Sequence, residues 1–318
     1  MRIAILSDVH GNLEALEAVL ADLQRHRPDE VYLLGDAVNY GCDSVAVVAR
    51  LREQVKPENW LLGNHEELYL GAPPDIFGEE ARLCNTFTTA ELEGTDSGQF
   101  LQQRKGHFQR TQVRRVHNKL LVLSHHRPVF TDVDIEGYYD PDYLAPYTEV
   151  EITQVALQTP IPAEHVPPQA WLQKLLGGKG ADQLIFLGGH THLPAFASLA
   201  PSAQVCTSQK TRAGKWRFGE FGGAQTRFFI NPGSVGYPRD GCTKASYAML
   251  DLGQDTCEII RVPYTLNLAA LERRYKETRE LRARTVLGGL TQKIKNASVP
   301  NGGKMPADWW EFYQKEPC

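Results

Sequence analysis

The fold is decided close to the amino terminus by Arg2-Ile3-Ala4-Ile5-Leu6-Ser7-Asp8-Val9-His10-Gly11-Asn12. The apolar run that ends at Ser7 predicts a strand, and the polar residues after it predict a loop. Residues Asn12 to Arg25 then place apolar side chains at helical spacing, with Asn12 as candidate N-cap and Pro28 beyond the helix end. A strand, a polar loop and a helix in this order predict the first unit of an α/β fold.

The same alternation continues as far as residue 65. Glu30 to Leu34 predicts a second strand ending at Gly35-Asp36, and Asp43 to Glu53 predicts a second helix. Asn59 to Leu62 predicts a third strand, which ends at Gly63-Asn64-His65. Strands that alternate with helices predict a layered fold whose sheet begins largely parallel.

The remainder of the chain predicts a second sheet. Glu66 to Val113 is mostly compatible with helix, whereas Phe196 to Val262 is organised as short strands and turns. The further predicted strands are Leu120 to Leu123, Leu184 to Leu187, Arg227 to Ile230, Ser246 to Leu250 and Glu258 to Val262. This order predicts two mixed sheets packed face to face with helices outside, a four-layer α/β/β/α sandwich.

We divide the chain into a main domain, residues 1–262, and a C-terminal helical extension with a tail, residues 263–318. Within the main domain, residues 132–168 hold four tyrosines among six prolines and predict a lid-like insertion. The tyrosines between positions 138 and 147 could stack on a base or an aromatic ester, or simply pack the loop. The C-terminal extension with its aromatic tail is a candidate lid or dimer contact.

Composition limits the classes of function. The chain has 318 residues, 42% of them hydrophobic and 23% charged, with a net charge of −4. This charge does not support a broad nucleic-acid or anionic-membrane surface, and no apolar run reaches the ~18 residues of a membrane helix. The six scattered cysteines predict reduced, mostly buried thiols, and hence a cytoplasmic protein.

Candidate metal ligands follow five of the predicted strands. They are Asp8 and His10, Asp36, Asn64 and His65, His125 and His126, and His190 and His192. Because ligands bind where the carboxyl ends of parallel strands converge, these clusters should meet at one edge of the sheet. The spacing of two residues in Asp8-Val9-His10 and His190-Thr191-His192, in an extended backbone, would direct both polar side chains to one side.

Each cluster taken alone also has an ordinary structural interpretation. A single histidine at a strand end is more often a hydrogen-bonding residue than a ligand, and Asn64 after Gly63 is a common turn pair. However, six of the ten histidines fall in these clusters. We keep a structural or surface role for the remaining histidines, His26, His107, His117 and His165. Imidazole, carboxylate and carboxamide groups together suit Mn²⁺, Fe, Co²⁺, Ni²⁺ or Zn²⁺.

The motifs resemble, in order, the full series of the calcineurin-like metallophosphoesterases. They are Ser7-Asp8-Val9-His10-Gly11-Asn12, Leu34-Gly35-Asp36, Gly63-Asn64-His65-Glu66, Ser124-His125 and Gly189-His190-Thr191-His192. The segment from Asn231 to Arg239, NPGSVGYPR, resembles a further signature of the small bacterial and archaeal phosphodiesterase branch. The resemblance covers the main domain.

The resemblance implies a site with two divalent metal ions. Asp8, His10 and His192 would hold the first ion, Asp36 would bridge both, and Asn64, His125 and His190 would complete the second. A metal-bound hydroxide would hydrolyse a phosphodiester or phosphomonoester of a small, nucleotide-like substrate. His65 would be the catalytic imidazole, which donates a proton to the leaving oxygen or stabilises the phosphoryl group, and Asn64 would also contact the substrate.

Two positions keep alternatives open. His126 stands where the family usually has glycine, so that it could contact substrate or be structural, and the ligand register could shift by one. Arg239 is a candidate phosphate-binding residue, or else pairs with Asp240 or a backbone carbonyl. The segment from Asn231 to Gly236 is expected to be a turn that supports the site.

Two other functions compete with a small-molecule phosphoesterase. A nuclease with the same centre would need a basic groove, for which Arg110 to Arg115 and Arg273 to Arg284 are the candidates. A non-catalytic scaffold on the same fold would have lost ligands, whereas all seven are retained here. The series Gly35-Asp36-Ala37-Val38-Asn39-Tyr40-Gly41 lacks the arginine of the protein-phosphatase branch, which argues against phosphoprotein substrates.

Overall fold

The computed structural model describes residues 1–72, 77–105, 110–116, 119–126, 183–199, 207–210, 213–221 and 226–265. The strands in these ranges are β1 (Arg2–Leu6), β2 (Glu30–Leu33), β3 (Thr111–Val116), β4 (Lys119–Ser124), β5 (Gln183–Leu187), β6 (Ala195–Leu199), β7 (Thr207–Lys210), β8 (Gly214–Arg217), β9 (Arg227–Asn231), β10 (Ala245–Asp251) and β11 (Thr256–Val262). The α-helices in them are α1 (Leu13–His26), α2 (Ser44–Gln54), α3 (Asn64–Leu70), α4 (Glu79–Leu92) and α5 (Asp96–Gln103).

The strands form two mixed sheets. The first sheet has the order β2-β1-β10-β11-β8, with β1 and β2 parallel and the other neighbours antiparallel. The second has the order β3-β4-β5-β9-β6-β7, in which β4, β5 and β9 are parallel. The predicted α/β fold of two mixed sheets with helices is confirmed.

Alternation along β1 shows how the layers are joined. Ile3 and Ile5 belong to the apolar cluster between the two sheets, together with Leu121, Ile185 and other side chains of the second sheet. Ala4 and Leu6 point the other way and pack with the apolar residues of α1 and α2. A strand buried on both faces in this way carries a continuous apolar run and holds the loop after it rigidly.

Helix α1 begins as the sequence predicts. The side chain of Asn12 accepts a hydrogen bond of 3.1 Å from the backbone N–H of Ala15, which satisfies one of the unpaired donors of the first turn. The same side chain donates 2.9 Å to the carbonyl of Gly236, so that the cap also joins the loop after β1 to the segment after β9.

Two predicted elements differ in the structure. The third strand, Asn59 to Leu62, is reduced to a single parallel bridge between Leu33 and Trp60, because a 3-10 turn at Pro57–Asn59 precedes it. Thr111–Val113, which the sequence analysis included in a helix-compatible segment, starts strand β3 through its antiparallel pairing with β4. This pairing partner lies further along the chain, where a local pattern does not report it.

Several further predictions fall on other parts of the chain. The lid-like insertion, the short helix at 171–176 and most of the C-terminal extension lie outside the described residues. Among the described helices, none has the length and apolar character needed to cross a membrane.

The cysteines are not all reduced: Cys42, Cys84 and Cys257 are buried free thiols, but Cys242 is disulfide-bonded.

Candidate metal centre

The loops that follow β1, β2, β4 and β5 are tied together by backbone hydrogen bonds. The N–H of Asp8 donates 3.0 Å to Gly35, and the N–H of His10 donates 3.0 Å to Asp36. In the second sheet, the N–H of Gly189 donates 2.9 Å to His125. These bonds bring the sequence motifs to one common edge, as expected for the carboxyl ends of parallel strands.

The backbone at this edge is strained rather than extended. Five residues that carry candidate ligand side chains have positive φ angles: Asp8 at 56°, His10 at 49°, Asp36 at 56°, His190 at 68° and His192 at 61°. The predicted extended backbone at the two-residue spacings is therefore wrong. Left-handed conformations of non-glycine residues are costly and concentrate at functional sites.

Close approach of loops also demands glycine. Gly35 has a φ of 119°, and a Cβ there would lie 2.5 Å from the backbone nitrogen of Gly63. A Cβ at Gly63 would lie 2.1 Å from a carboxylate oxygen of Asp36. Both glycines are thus needed for the loop after β2 and the start of α3 to touch.

Two groups of candidate ligands gather here, which we call half-sites, and Asp8, His10, Asp36 and His192 form the first. Their ligand atoms all lie within 4.8 Å of one another, and all four side chains are buried. His192 Nε2 is 3.2 Å from Asp8 Oδ1 and 3.1 Å from His10 Nε2. The Nε2 atom of His10 is 3.6 Å from Asp36 Oδ2.

Asn64, His125 and His190, again with Asp36, form the second half-site. Asn64 Oδ1 lies 3.0 Å from His125 Nε2 and 2.9 Å from His190 Nδ1. His125 Nε2 lies 3.1 Å from Asp36 Oδ2. All seven candidate ligands of the sequence analysis are therefore brought together, with Asp36 Oδ2 near both half-sites.

Hydrogen bonds between Nδ1 and backbone carbonyls orient three of the imidazoles. Nδ1 of His10 lies 3.1 Å from the carbonyl of Val38, and Nδ1 of His192 lies 2.5 Å from that of Tyr237. Nδ1 of His125 lies 3.1 Å from the carbonyl of Leu34. A carbonyl only accepts, so each Nδ1 carries a proton and the Nε2 atom is the one turned to the carboxylates.

This donor set fits a divalent cation. Burial lowers the pKa of His10 well below its usual value and lowers that of His192, so both rings are neutral, and their unprotonated Nε2 atoms face each other. Asp8 Oδ1 is buried next to them without a hydrogen bond among the described residues. Lone pairs and carboxylates at such distances are stabilised by a cation between them.

The second half-site differs in its charge. Burial lowers the pKa of His190 well below the usual value, and the charges of His126 and His125 lower it further. Burial would also lower the pKa of His125, but the charge and hydrogen bond of Asp36 outweigh it and raise the pKa to about 9. The carboxyl of Asp36 itself has a pKa well below its usual value, since His125 overcomes the effect of burial.

Glu66 is the last residue of the Gly63-Asn64-His65-Glu66 motif, and no role is predicted for it from the sequence. Its buried carboxylate accepts four backbone N–H bonds: from Asp36 at 2.8 Å, Ala37 at 2.7 Å, Val38 at 3.1 Å and Gly63 at 2.7 Å. Burial and the charge of Asp36 raise its pKa to about 7. Glu66 therefore holds the loop after β2 against the start of α3.

His65 lies beside the first half-site at the start of α3. Its backbone N–H donates 2.9 Å to Asp36 Oδ1, and its Nε2 atom is 4.0 Å from Asp36 Oδ2. Nδ1 of His65 contacts the amide of Asn39 at 2.7 Å. Burial lowers the pKa of His65 to about 4, although the charge of Asp36 acts in the opposite direction.

A pocket of about 150 Å³ opens over these residues. The described residues that line it are Asp36, Tyr40, Asn64, His65, Phe77, Gly78, Ala81, His190, His192 and Arg239. Arg239 is exposed, and its positive charge contributes to the lowered pKa values of His10, His65 and His192. The carboxylate of Asp240 instead pairs with Arg261, which removes the alternative that Arg239 pairs with Asp240.

The segment from Asn231 to Gly236 supports the site, as the sequence predicts. Val235 N–H donates 3.0 Å to the carbonyl of Ser7, and the hydroxyl of Ser234 donates 2.7 Å to that of Asp8. Asn231 Nδ2 donates 3.0 Å to the carbonyl of Gly189. The segment thus fixes the loops after β1 and β5.

The register at the fourth motif places His125 in the cluster. His126 is buried and packs edge-on against the His190 ring, with ring centroids 4.3 Å apart. It is absent from the described lining of the pocket. The structural interpretation of His126 is therefore favoured over contact with substrate.

Comparison with known proteins agrees with this geometry. Residues 1–220, more than half of the chain, match the family model of the calcineurin-like phosphoesterases. The uncharacterized protein MJ0912 of Methanocaldococcus jannaschii is 28% identical over 270 residues, which cover 84% of this chain and 89% of that protein.

Solved structures share the fold. A metallophosphoesterase from Sphaerobacter thermophilus is 24% identical, with a TM-score of 0.57, and the match covers 89% of this chain and 98% of that one. The hypothetical protein PH1004 from Pyrococcus horikoshii OT3 is 16% identical, with a TM-score of 0.52, over 88% of this chain and 96% of that one. Through the family match, the chain belongs to the calcineurin-like phosphoesterases and is a hydrolase that acts on phosphoric ester bonds.

Proposed function

We propose that the protein hydrolyses a phosphodiester or phosphomonoester bond of a small, nucleotide-like substrate with two divalent metal ions. Asp8, His10 and His192 would hold the first ion, and Asn64, His125 and His190 the second, with Asp36 shared. The observation that carries this proposal is the 3.1 Å approach of two Nε2 atoms, from His10 and His192, next to two buried carboxylates.

The donor set fits Mn²⁺, Fe, Co²⁺, Ni²⁺ or Zn²⁺, and we choose Mn²⁺ for assays. Two ions held there would supply a water that is nucleophilic at neutral pH and would offset the charge of the phosphoryl oxygens. Hydrolysis would join the oxygen of this water to phosphorus as the bond to the leaving oxygen breaks.

Three side chains of the pocket would then act on the substrate. With its pKa lowered to about 4, His65 would be a neutral imidazole that hydrogen-bonds the leaving oxygen or a phosphoryl oxygen, a contribution typically of about 10²–10³-fold for one such donor. Asn64 and Arg239 would orient the phosphate, with the guanidinium of Arg239 as a two-pronged donor. The position of Arg239 on the lining of the same pocket as His65 supports this role.

A small substrate is favoured over a nucleic acid. Of the basic residues that a nuclease would use, Arg110 is buried and donates to Glu67 at 2.9 Å and 3.2 Å. It therefore cannot contact a phosphate backbone without losing that ion pair. The second basic segment, residues 273–284, lies outside the described residues. Location in the cytoplasm and assembly through the extension of residues 263–318 stay predictions.

The test is hydrolysis by Mn²⁺-reconstituted protein of bis(p-nitrophenyl) phosphate, p-nitrophenyl phosphate, a dinucleotide and single-stranded DNA. We expect hydrolysis of a small ester, loss of activity of about 10²-fold or more in His65→Ala, and full activity in the control His26→Ala. His26 lies on α1, 3.4 Å from Asp22 and outside the pocket lining. Unchanged activity of His65→Ala would contradict the assignment of His65, and cleavage of single-stranded DNA alone would favour the nuclease.

A further inference from the structure

Asn39 is a buried amide in the loop after β2 that contacts His65. Its Oδ1 atom accepts 2.8 Å from the N–H of Tyr40, and its Nδ2 atom donates 3.1 Å to the carbonyl of Ala81. Reversing the amide would place oxygen against a carbonyl and NH₂ against an N–H. These two backbone groups therefore fix which end of the amide faces His65.

The end that faces His65 is the NH₂ group. One Nδ2 hydrogen is used by Ala81, and the other points to His65 Nδ1 at 2.7 Å. Because Nδ2 only donates, Nδ1 of His65 must accept and carries no proton. The ring proton of His65 therefore sits on Nε2, the nitrogen on the Asp36 side of the ring, 4.0 Å from Asp36 Oδ2.

This arrangement is the reverse of that of the metal-facing histidines. His10 and His192 have Nδ1 next to a carbonyl, which leaves Nε2 as a ligand atom. His65 has Nδ1 next to an amide NH₂, which leaves Nε2 as a hydrogen-bond donor. Neighbouring imidazoles are thus given opposite tautomers by their second partners.

We infer that Asn39 is a positioning residue that fixes His65 as the Nε2–H tautomer, so that the ring can donate to a phosphoryl or leaving-group oxygen. This inference rests on the proposed function. Asn39 itself does not touch the reacting atoms; it acts by holding the ring and its proton in place.

The isosteric substitution Asn39→Asp reverses the hydrogen bond to His65, and Asn39→Gly controls for the hydrogen bond to the carbonyl of Ala81 that both variants lose. A carboxylate can still accept from Tyr40 N–H, but toward His65 it offers only an acceptor. Nδ1 would then carry a proton, and a neutral ring would present the Nε2 lone pair to the pocket, whereas an imidazolium stabilised by the carboxylate would keep both protons. Asp tolerates the φ of 72° that Asn39 adopts.

The experiment combines kinetics with ¹⁵N NMR of histidine-labelled, Zn²⁺-loaded protein. His65→Ala identifies the His65 signals among the ten histidines. In the wild type we expect the Nε2–H pattern for His65. In Asn39→Asp we expect a proton on Nδ1, unchanged metal content and, at a pH where the NMR spectrum shows a neutral ring, a kcat for bis(p-nitrophenyl) phosphate lowered about 10²-fold with KM little changed. The double variant with His65→Ala should lose nothing beyond His65→Ala alone.

A second variant keeps the test decisive if Asn39→Asp does not fold. Asn39→Gly suits the positive φ and removes the amide, so that we expect a mixture of His65 tautomers and a smaller loss of kcat. A wild-type His65 with its proton on Nδ1, a normal kcat in Asn39→Gly or in Asn39→Asp with a neutral ring, or losses that multiply in the double variant would overturn the inference. If His65→Ala itself keeps full activity, the proposed function of His65 fails, and the NMR pattern still reports the tautomer independently.

Discussion

The two half-sites share Asp36 but are built from different groups. The first adds a carboxylate, Asp8, and two imidazoles whose Nδ1 atoms are held by backbone carbonyls. The second adds the neutral amide of Asn64 in place of a carboxylate, and its His190 is only half-buried. With Asp36 included, the first half-site has two carboxylates and the second has one.

Protonation separates the half-sites further. The pKa values of His10 and His192 are lowered, so the first half-site has neutral imidazoles ready at neutral pH. The pKa of His125 is raised to about 9 by Asp36, which outweighs burial, so a proton must leave before this ring can bind a metal ion. We therefore expect the first half-site to bind its ion more tightly, and the second to be the exchangeable one.

The largest effect is expected from the shared residue. Asp36→Asn keeps an oxygen for the N–H of His65 but removes the charge next to both half-sites. Both ions should bind much more weakly, and kcat/KM should fall by at least about 10²-fold, since bound ions supply several kcal/mol. Metal content by elemental analysis and initial rates measure this, and two tightly bound ions in Asp36→Asn would contradict the sharing of Asp36.

A substitution in one half-site should lower the affinity for one ion and leave the affinity for the other nearly unchanged. Asn64→Ala should retain about one ion per chain after desalting. Its affinity for the second ion should fall by more than about 10–100-fold, the loss typical when a residue that only supports a ligand is removed. Asp8→Asn should weaken the other ion instead. Competition with a fluorescent chelator resolves the two affinities, and an Asn64→Ala protein that binds both ions normally would break the comparison.

The pH dependence of metal binding should differ between the half-sites. A ligand with a raised pKa loses its proton only as the pH rises toward that pKa, so affinity increases with pH below it. In Asp8→Asn, whose first half-site is weakened, affinity for an ion in the second half-site should rise about tenfold per pH unit between pH 7 and 9, while in Asn64→Ala affinity for the first ion stays nearly constant. Calorimetry in buffers of different ionisation enthalpy should show about one proton released per ion in Asp8→Asn and little in Asn64→Ala, and equal release in the two variants would refute the difference.

A smaller effect is expected at the pocket rim. Arg239→Ala should raise KM about tenfold, with a smaller change in kcat, because a charged hydrogen bond contributes about 1.5–3 kcal/mol. Arg217→Ala, at an exposed position in β8, is the matched control and should behave as wild type. A KM in Arg239→Ala equal to that of the control would remove Arg239 from substrate binding.

Much of this architecture is predictable from local sequence. The apolar run of β1, the N-cap at Asn12 and the positions of the ligands after strands all follow from patterns of a few residues. The elements whose prediction is wrong depend on contacts with other parts of the chain. Thr111–Val116 is a strand because β4 pairs with it, and the stretch after Asn59 forms only one bridge because a 3-10 turn leads into it.

The same distinction holds within the site. Residue types and their order predict which side chains gather, but they do not predict the positive φ angles of Asp8 and His10. The backbone N–H groups of both residues donate to the loop after β2, and hydrogen bonds to a distant loop hold this backbone conformation. Glu66 and Asn39 act through contacts 26 to 30 positions away, to Asp36 and to His65. A single sequence carries no local signal for such contacts.

The central claim is that Asp36 joins two metal sites, and anomalous diffraction from crystals grown with Mn²⁺ tests it most directly. We predict two peaks about 3.5–4 Å apart on either side of Asp36 Oδ2, one near Asp8, His10 and His192, the other near Asn64, His125 and His190. A single peak, or none at these residues, would contradict the account.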